Sequence, residues 1–162
     1  MTLYDNKKVR KQSFLLEEEK AMQLLHETNY GFLAMQAETG GGYGIPMNYV
    51  FEEDKIYLHA AVEGEKIDCL LKEPKVSFCV MGPIHTIPRK FTVNYTSVMV
   101  HGEVLMDLSH EEKVHAMELF IAKYSPEDAE VGMRFVEVRL PRTRVFCIQI
   151  ERISGKDKFL SD

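Results

Sequence analysis

Short apolar segments joined by tight turns constrain the fold of this chain more than any other feature. The stretch from Ile45 to Pro74 is the clearest case. It predicts a strand, a turn at Glu52–Asp54, a second strand over Lys55–Ala61, and then a short helix that ends before Pro74. Hairpins of this kind join antiparallel neighbours, and the sequence contains no repeated β-α-β pattern.

The rest of the chain shows the same alternation of short strands, turns and a few helices. We therefore predict a mainly β, α+β protein, with an antiparallel sheet closed as a barrel and helices on its outside. Gly102 is expected to bend the long fifth predicted strand. The predicted strands are Gly31–Ala37, Tyr43–Phe51, Lys55–Ala61, Lys75–Met81, Phe91–Asp107 and Thr143–Ile153. The predicted helices are Leu16–Thr28, Glu63–Leu71 and Ser109–Lys123; Glu38–Gly42 and Gly82–Lys90 are predicted loops, and Pro126–Arg142 has no clear pattern.

Length and charge limit the protein to a few classes. A chain of 162 residues is long enough for one domain with a real core, and 45% hydrophobic with 28% charged residues is an ordinary globular composition. The formal net charge of −5 argues against binding a nucleic-acid backbone. We expect a flexible N-terminal arm over residues 1–13, a single domain over 14–156, and a C-terminal tail over 157–162.

The cysteines and histidines give no pattern for a disulfide framework or a metal site. Cys69, Cys79 and Cys147 are far apart and lie in apolar runs, where a free thiol acts as a small hydrophobe. His110 and His115 are five residues apart, so a helix would place them on different faces. With no apolar stretch of membrane-spanning length, the expected location is the cytoplasm.

The segment around the predicted short helix has the features of an anion site. Free N–H groups and the dipole at a helix start favour negative charge, and Lys66, two residues after Gly64, adds a positive charge in the first turn. Asn48, Tyr49 and His59 on the preceding strands could hold the rest of a phosphate-bearing ligand, for which we expect a flavin mononucleotide. A lone strand histidine or a helix lysine is more often merely solvated.

Two further groups of residues are weaker candidates. Tyr95, Thr96 and Ser97 place three hydroxyls in a row within a strand, although such residues are ordinary there. The dense basic cluster of Arg139, Arg142 and Arg144 is either a solvated edge or a contact to the phosphate or flavin of a partner chain.

The chain resembles the pyridoxamine 5′-phosphate oxidase-like flavin-binding split barrels and, within them, the 5-nitroimidazole-resistance (Nim) family. The resemblance covers roughly residues 30 to 156 in order. Its matching stretches are Tyr30–Ala34, Pro46–Val50, Ile56–Asp68, Pro74–Phe78, Tyr95–Gly102 and Ile150–Lys156. The departures from the family pattern are Phe91, where relatives often carry cysteine, and Glu65 before the lysine.

This resemblance implies a homodimer with FMN in two clefts at the subunit interface. Arg144 would reach the flavin from the partner subunit, and Ser97 would approach its ring from a second wall. The implied cofactor-binding residues are Pro46, Asn48, Tyr49, Val50, His59, Ala60, Gly64, Lys66, Ser97 and Arg144.

The first functional hypothesis is an FMN-dependent oxidoreductase that reduces a small nitro-aromatic such as a 5-nitroimidazole, with electrons from NAD(P)H or a protein donor. His59 is the expected catalytic residue, because imidazole titrates near neutral pH and can deliver a proton. The alternatives are a non-catalytic flavin carrier or redox sensor, and a haem-binding split barrel that uses His85 and His101.

Overall fold

A computed structural model describes residues 3–160, and within this range seven strands form one antiparallel sheet with four α-helices against it. The strands are β1 (Tyr30–Gln36), β2 (Gly42–Asn48), β3 (Val50–Glu52), β4 (Lys55–Ala61), β5 (Lys75–Ile87), β6 (Thr92–Leu105) and β7 (Thr143–Lys158). The helices are α1 (Glu18–Glu27), α2 (Glu65–Lys72), α3 (His110–Tyr124) and α4 (Ala129–Arg139). In the described part of the chain, no helix is both long and apolar enough to cross a membrane.

The order of the strands shows why the sheet curls into a split barrel. From edge to edge the order is β2-β1-β5-β6-β7-β4-β3, so β2 and β3 occupy opposite edges. In the chain, however, these two strands are separated by Tyr49 alone. The two edges must therefore meet at this residue, although no ladder of hydrogen bonds joins them in the described structure. The predicted mainly β antiparallel split barrel is confirmed.

The barrel has a packed interior and a second apolar layer on part of its outer surface. Phe78, Phe146 and Ile148 are fully buried inside the barrel. Outside it, α3 covers the far side of β4 and β7, and Phe120 joins Tyr57 in this second layer. Burial of side chains of this size stabilises the folded chain by about 1.5–3 kcal/mol each.

Polar contacts fix α3 against the barrel and define its first turn. The Ser109 hydroxyl accepts a hydrogen bond from the Glu112 N–H at 3.1 Å, which confirms the helix start predicted from the capping pattern. Glu112 also forms an ion pair with Lys55 of β4 at 2.6 Å. This contact raises the pKa of Lys55 and lowers that of Glu112, because each charge stabilises the other.

Three elements differ from the sequence prediction. The predicted single strand Tyr43–Phe51 is wrong, because the chain crosses from one sheet edge to the other at Tyr49. The predicted loop Gly82–Lys90 is also wrong over its first part: β5 continues through a register shift between Met81 and Ile84, which takes Pro83 out of the ladder. The unassigned segment after Pro126 contains α4.

The predicted bend at Gly102 is confirmed by a register shift between His101 and Gly102. A Cβ atom at this position would meet the Gln149 carbonyl oxygen at 2.2 Å. Only glycine therefore lets β6 pass this close to the backbone of β7.

The chain ends are tied to the barrel more firmly than we predicted. The Asp5 N–H donates to the Ile153 carbonyl at 2.8 Å, and the Gly155 N–H donates to Asn6 Oδ1 at 2.9 Å. At the other end, β7 extends to Lys158 and the Leu160 N–H donates to Asn94 Oδ1 at 2.9 Å. Asp5 and Asn6 of the predicted arm and Leu160 of the predicted tail thus contact the barrel; residues 1–2 and 161–162 lie outside the described range.

Candidate functional site

The two edges of the sheet, β2 and β3, meet at Tyr49 and form a seam. A cavity of about 330 Å³ opens between this seam and the C-terminal half of α3. Asn48 at the end of β2 and His59 on β4 form its barrel side. The helix side is formed by Phe120, Ile121, Tyr124 and Ser125. The volume is within the range of small-molecule sites, and the lining combines flat aromatic surface with a few polar groups.

His59 is held at this cavity by its position in β4 and by an aromatic neighbour. Its ring lies edge-on to Phe120, with 4.6 Å between centroids and 85° between planes. The Nδ1 atom is buried and has no hydrogen-bond partner in the described structure. Burial lowers the pKa of His59, and the positive charge of Lys66 lowers it further, so the neutral imidazole is favoured.

The start of α2 lies beside this histidine. Gly64 precedes the helix with φ +125°, a conformation that L side chains rarely adopt, and its carbonyl accepts from the Ile67 N–H at 2.8 Å. Lys66 follows in the first turn. Burial lowers the pKa of Lys66, and its ammonium has no ion pair with another described residue. The result is an uncompensated cation near a helix N-terminus.

Two side chains at the end of α3 hold the seam in place. The Tyr124 hydroxyl accepts from the Tyr49 N–H at 3.1 Å and lies 2.8 Å from the Tyr49 carbonyl oxygen. Lys123 donates to the Thr28 carbonyl at 2.7 Å, and its Nζ is 4.2 Å from the centroid of the Tyr49 ring. Burial lowers the pKa of Lys123 to about 8. These contacts fix Tyr49, the residue between β2 and β3, against the end of α3.

A family model described as pyridoxamine 5′-phosphate oxidase matches residues 17–157, which is most of the chain. The chain belongs to this family. The predicted resemblance is thereby confirmed at the level of the family. None of the curated proteins is significantly similar to the chain in sequence.

Solved structures with the same fold include flavin-binding proteins. A candidate 5-nitroimidazole antibiotic resistance protein from Bacteroides thetaiotaomicron has a TM-score of 0.72 at 21% identity, over 88% of this chain and 85% of its own. A FAD-binding protein from Mesorhizobium loti has a TM-score of 0.64 at 24% identity, over 89% and 96%. A flavocytochrome from Azotobacter vinelandii has a TM-score of 0.68 at 18% identity, over 90% and 71%.

In this member of the pyridoxamine 5′-phosphate oxidase family, the side chains of Tyr49 and Val50 are buried and pack against other parts of the protein. The Tyr49 side chain is fully buried, its hydroxyl donates to the Leu25 carbonyl at 2.7 Å, and its ring packs edge-on against Phe78. Val50 is buried in the layer beneath α3. Both side chains therefore pack within the protein, and it is the backbone groups of Tyr49 and Val50 that lie at the seam.

Pro46, Asn48 and Ser97 lie on the outer face of the barrel but not at one point. Asn48 pairs with Tyr30 of β1, and Ser97 pairs with Met81 of β5. Extending the β1–β5 register pairs Tyr30 with Met81, so Asn48, Tyr30, Met81 and Ser97 form one row across four strands. Asn48 and Ser97 are therefore three strand spacings, or about 14 Å, apart. Ser97 does not line the His59 cavity.

Ala60 and Arg144 lie opposite one another on β4 and β7, while His59 pairs with Val145. Side chains of successive strand residues point to opposite faces, so His59 and Arg144 are on different faces of the sheet. Arg144 lines a separate cavity between α3 and α4. The structure therefore brings together Asn48, His59 and Lys66, but not Ser97 or Arg144.

The histidines considered for haem lie elsewhere on the barrel. His85 is exposed on β5. His101 is on β6, with its Nδ1 3.0 Å from the Ser77 hydroxyl, and neither residue lines the His59 cavity.

The sequence prediction missed the wall contributed by α3. Phe120 and Tyr124 are four residues apart, and their rings stack with centroids 5.8 Å apart. The i, i+4 spacing of two aromatic residues is a signal for one shared helix face. It could not show, however, that this face closes a cavity over a strand far away in the sequence.

Proposed function

We propose that the protein is an FMN-binding oxidoreductase that acts as a homodimer. The observation that carries this proposal is the unpartnered, buried Nδ1 of His59 at a cavity shared with Asn48, beside the uncompensated charge of Lys66. Buried polar atoms normally have a partner, so a missing one points to a ligand. The flavin-binding members among the structures of the same fold support this choice of cofactor.

The residues present fit a flavin with a phosphate group. Lys66 and the free N–H groups after Gly64 would hold the phosphate, which needs positive charge and hydrogen-bond donors. The side-chain amide of Asn48 both donates and accepts, which suits the polar edge of a heterocycle. When bound, the flavin would supply the electron-transfer chemistry, while the protein binds, orients and shields it.

His59 would hold and deliver a proton at the cavity. Its lowered pKa means that the imidazole is mostly neutral at pH 7 in the cofactor-free protein. A phosphate next to Lys66 would offset the charge of Lys66, the smaller of the two effects that lower the pKa of His59, and so raise this pKa. If the protonated form is the proton donor, turnover increases as the pH falls through this pKa.

A small nitro-aromatic is the first substrate class to test. The similarity in fold to the candidate 5-nitroimidazole resistance protein supports this choice, with NAD(P)H as the electron donor. Ser97 lies on β6, away from the His59 cavity, so one flavin that meets both Ser97 and His59 would need two subunits; this supports a homodimer.

Titration with FMN tests cofactor binding. The protein should bind FMN more tightly than riboflavin, because riboflavin lacks the phosphate. Lys66→Met should reduce FMN affinity by roughly 10- to 100-fold and leave riboflavin affinity unchanged. Lys72→Met, at the other end of the same helix, is the matched control. Failure to bind FMN, or tighter binding of FAD or haem, would overturn the cofactor assignment.

Turnover with NADPH and a panel of nitro-aromatics tests the activity. The variant His59→Asn should retain FMN but lose most of the turnover. If the bound flavin is not reduced by NADPH, NADH or dithionite-reduced ferredoxin when acceptors are absent, and no acceptor is consumed when they are present, the protein is a flavin carrier or sensor instead.

A further inference from the structure

Helix α4 carries apolar side chains on two opposite sides. Met133 and Val136 line the cavity between α4 and α3, so this side of the helix faces the rest of the protein. Val131, Phe135 and Val138 follow the spacing i, i+4, i+7 and therefore share the other side. Their side chains are 53%, 61% and 73% exposed. Three large apolar side chains in one exposed stripe are typical of an interaction surface.

The charges of this segment are divided between its two ends. Short 3₁₀ turns extend the helix before and after α4. Glu127 and Asp128 lie in the turn before α4, Arg139 is its last residue, and Arg142 lies in the turn after it. None of these four side chains forms an ion pair within residues 3–160. The start of the segment is therefore acidic and its end basic, and both lack a charge partner on their own chain.

An antiparallel pair of α4 helices brings both features together. A two-fold axis midway between Arg134 and Phe135 places Val131 of one chain opposite Val138 of the other, because the two valines lie equally far from this axis. The same axis places the acidic start of each helix opposite the basic end of the other, whereas a parallel pair would bring like charges together. We infer that α4 pairs antiparallel with α4 of a second copy of the chain, with the apolar stripe at the centre and opposite charges at both ends.

The small size of this contact sets the concentration at which it forms. Stable interfaces bury about 1,200–2,000 Å² in total. Helix α4 has 11 residues and is about 16 Å long, so the pair buries less than this. The contact should therefore form only above about 100 µM protein, where it joins two of the homodimers proposed above.

Sedimentation of the whole protein between about 10 µM and 1 mM tests the inference, and the mass of the wild type should rise at least about twofold over this range. The double variant Glu127→Arg with Asp128→Arg should abolish the rise, because like charges then meet at both ends of the pair. Arg139→Glu with Arg142→Glu should abolish it for the same reason. A mixture of the two double variants should restore the rise, because each start again meets an end of opposite charge.

Phe135→Lys tests the apolar stripe. The new lysines of the two chains would lie close together near the two-fold axis, so the variant should not associate beyond the dimer. Phe159→Lys, at a phenylalanine outside α4 that is 74% exposed, is the matched control and should associate as the wild type does. Normal association of Phe135→Lys would contradict the inference.

Cysteine cross-linking tests the direction of the pair. A mixture of Val131→Cys and Val138→Cys should form a disulfide-linked product at least about 10-fold faster than either variant alone, since only unlike positions come within disulfide reach. The wild type measures the background, because Cys69 and Cys147 are buried and Cys79 is half-buried.

The inference is overturned if the wild type keeps one mass over the whole range, if either charge variant still associates, or if their mixture does not. Faster cross-linking of each cysteine variant with itself would also overturn it, because that result indicates a parallel pair. FMN affinity is measured on the same samples and should match that of the wild type, since the substituted side chains are exposed and do not line the His59 cavity. Failure of the α4 contact and failure of the proposed cofactor are thereby distinguished.

Discussion

At the scale of single residues, His59 links the site to the stability of the cofactor-free protein. Burial and Lys66 lower its folded pKa below the reference value of 6.5, so the unfolded chain binds a proton that the folded protein does not. The free energy of unfolding therefore decreases as the pH falls through 6.5 toward the folded pKa. His101 acts in the same direction, because burial lowers its pKa as well.

We expect His59→Asn to have a smaller decrease in stability with acidification than the wild type. Urea denaturation at several pH values between about 5 and 8 measures this slope. His85→Asn, at an exposed position of β5, is the control for replacing a histidine of the barrel away from the cavity. An equal slope in His59→Asn and the wild type would contradict the lowered pKa.

Tyr49 is a second residue whose role the structure redefines. Tyr49→Phe removes the hydroxyl that donates to the Leu25 carbonyl at 2.7 Å in a fully buried position. We expect a loss of about 1–3 kcal/mol in the free energy of unfolding, with FMN affinity unchanged. Tyr30→Phe, at a side chain that is 61% exposed, should change stability by less than about 0.5 kcal/mol. A loss of FMN without a loss of stability in Tyr49→Phe would return this residue to the ligand site.

At the scale of elements, the close approach of β6 and β7 depends on Gly102. In Gly102→Ala the new Cβ would meet the Gln149 carbonyl oxygen at 2.2 Å and Ile148 Cγ2 at 2.8 Å. A backbone atom cannot rotate away as a side chain does, so two central strands must separate. We expect a loss of about 1–3 kcal/mol in the free energy of unfolding.

Gly42→Ala is the matched control for this change, because a Cβ there would meet nothing within 4 Å in the described structure. Thermal and urea denaturation of both variants give the comparison. If Gly102→Ala is as stable as Gly42→Ala, the register shift does not depend on glycine.

The elements also show what could be predicted from the sequence and what could not. The strands at Lys55–Ala61 and the capped start of α3 follow from local alternation and capping, and both are confirmed. The division at Tyr49 has no such local signal. Apolar alternation continues across it, and only the pairing of β2 with β1 and of β3 with β4 separates the two strands.

The site shows the same limit. Asn48, His59 and Lys66 could be grouped from the sequence because they flank one hairpin and the helix that follows it. Phe120 and Tyr124 could not, since they reach the cavity only after α3 folds back on the barrel. In α4, apolar residues occupy both the buried side (Val136) and the exposed side (Val131, Phe135 and Val138), so the segment lacks the clear amphipathic period by which helices are found.

At the scale of the whole molecule, an apolar patch on the outer face of β1, β2 and β5 suits a subunit interface. Tyr30, Phe32 and Met81 are 61%, 48% and 49% exposed, and Phe32 pairs in register with Pro46. The ring of Phe32 lies over Gly44, where a Cβ would come within 2.4 Å of it. A contiguous exposed patch of this kind is typical of an interaction surface.

The proposed homodimer predicts that Phe32→Lys disrupts association. A charge introduced into a buried apolar interface has no partner there, so the variant should be mostly monomeric by light scattering at concentrations where the wild type is a dimer. If FMN is held between subunits, its affinity should fall with the dimer. Phe135→Lys, at a phenylalanine of α4 that is 61% exposed, should leave both properties unchanged. A wild-type monomer that binds FMN would contradict the shared site, and would require Asn48, His59 and Lys66 of one chain to hold the cofactor alone.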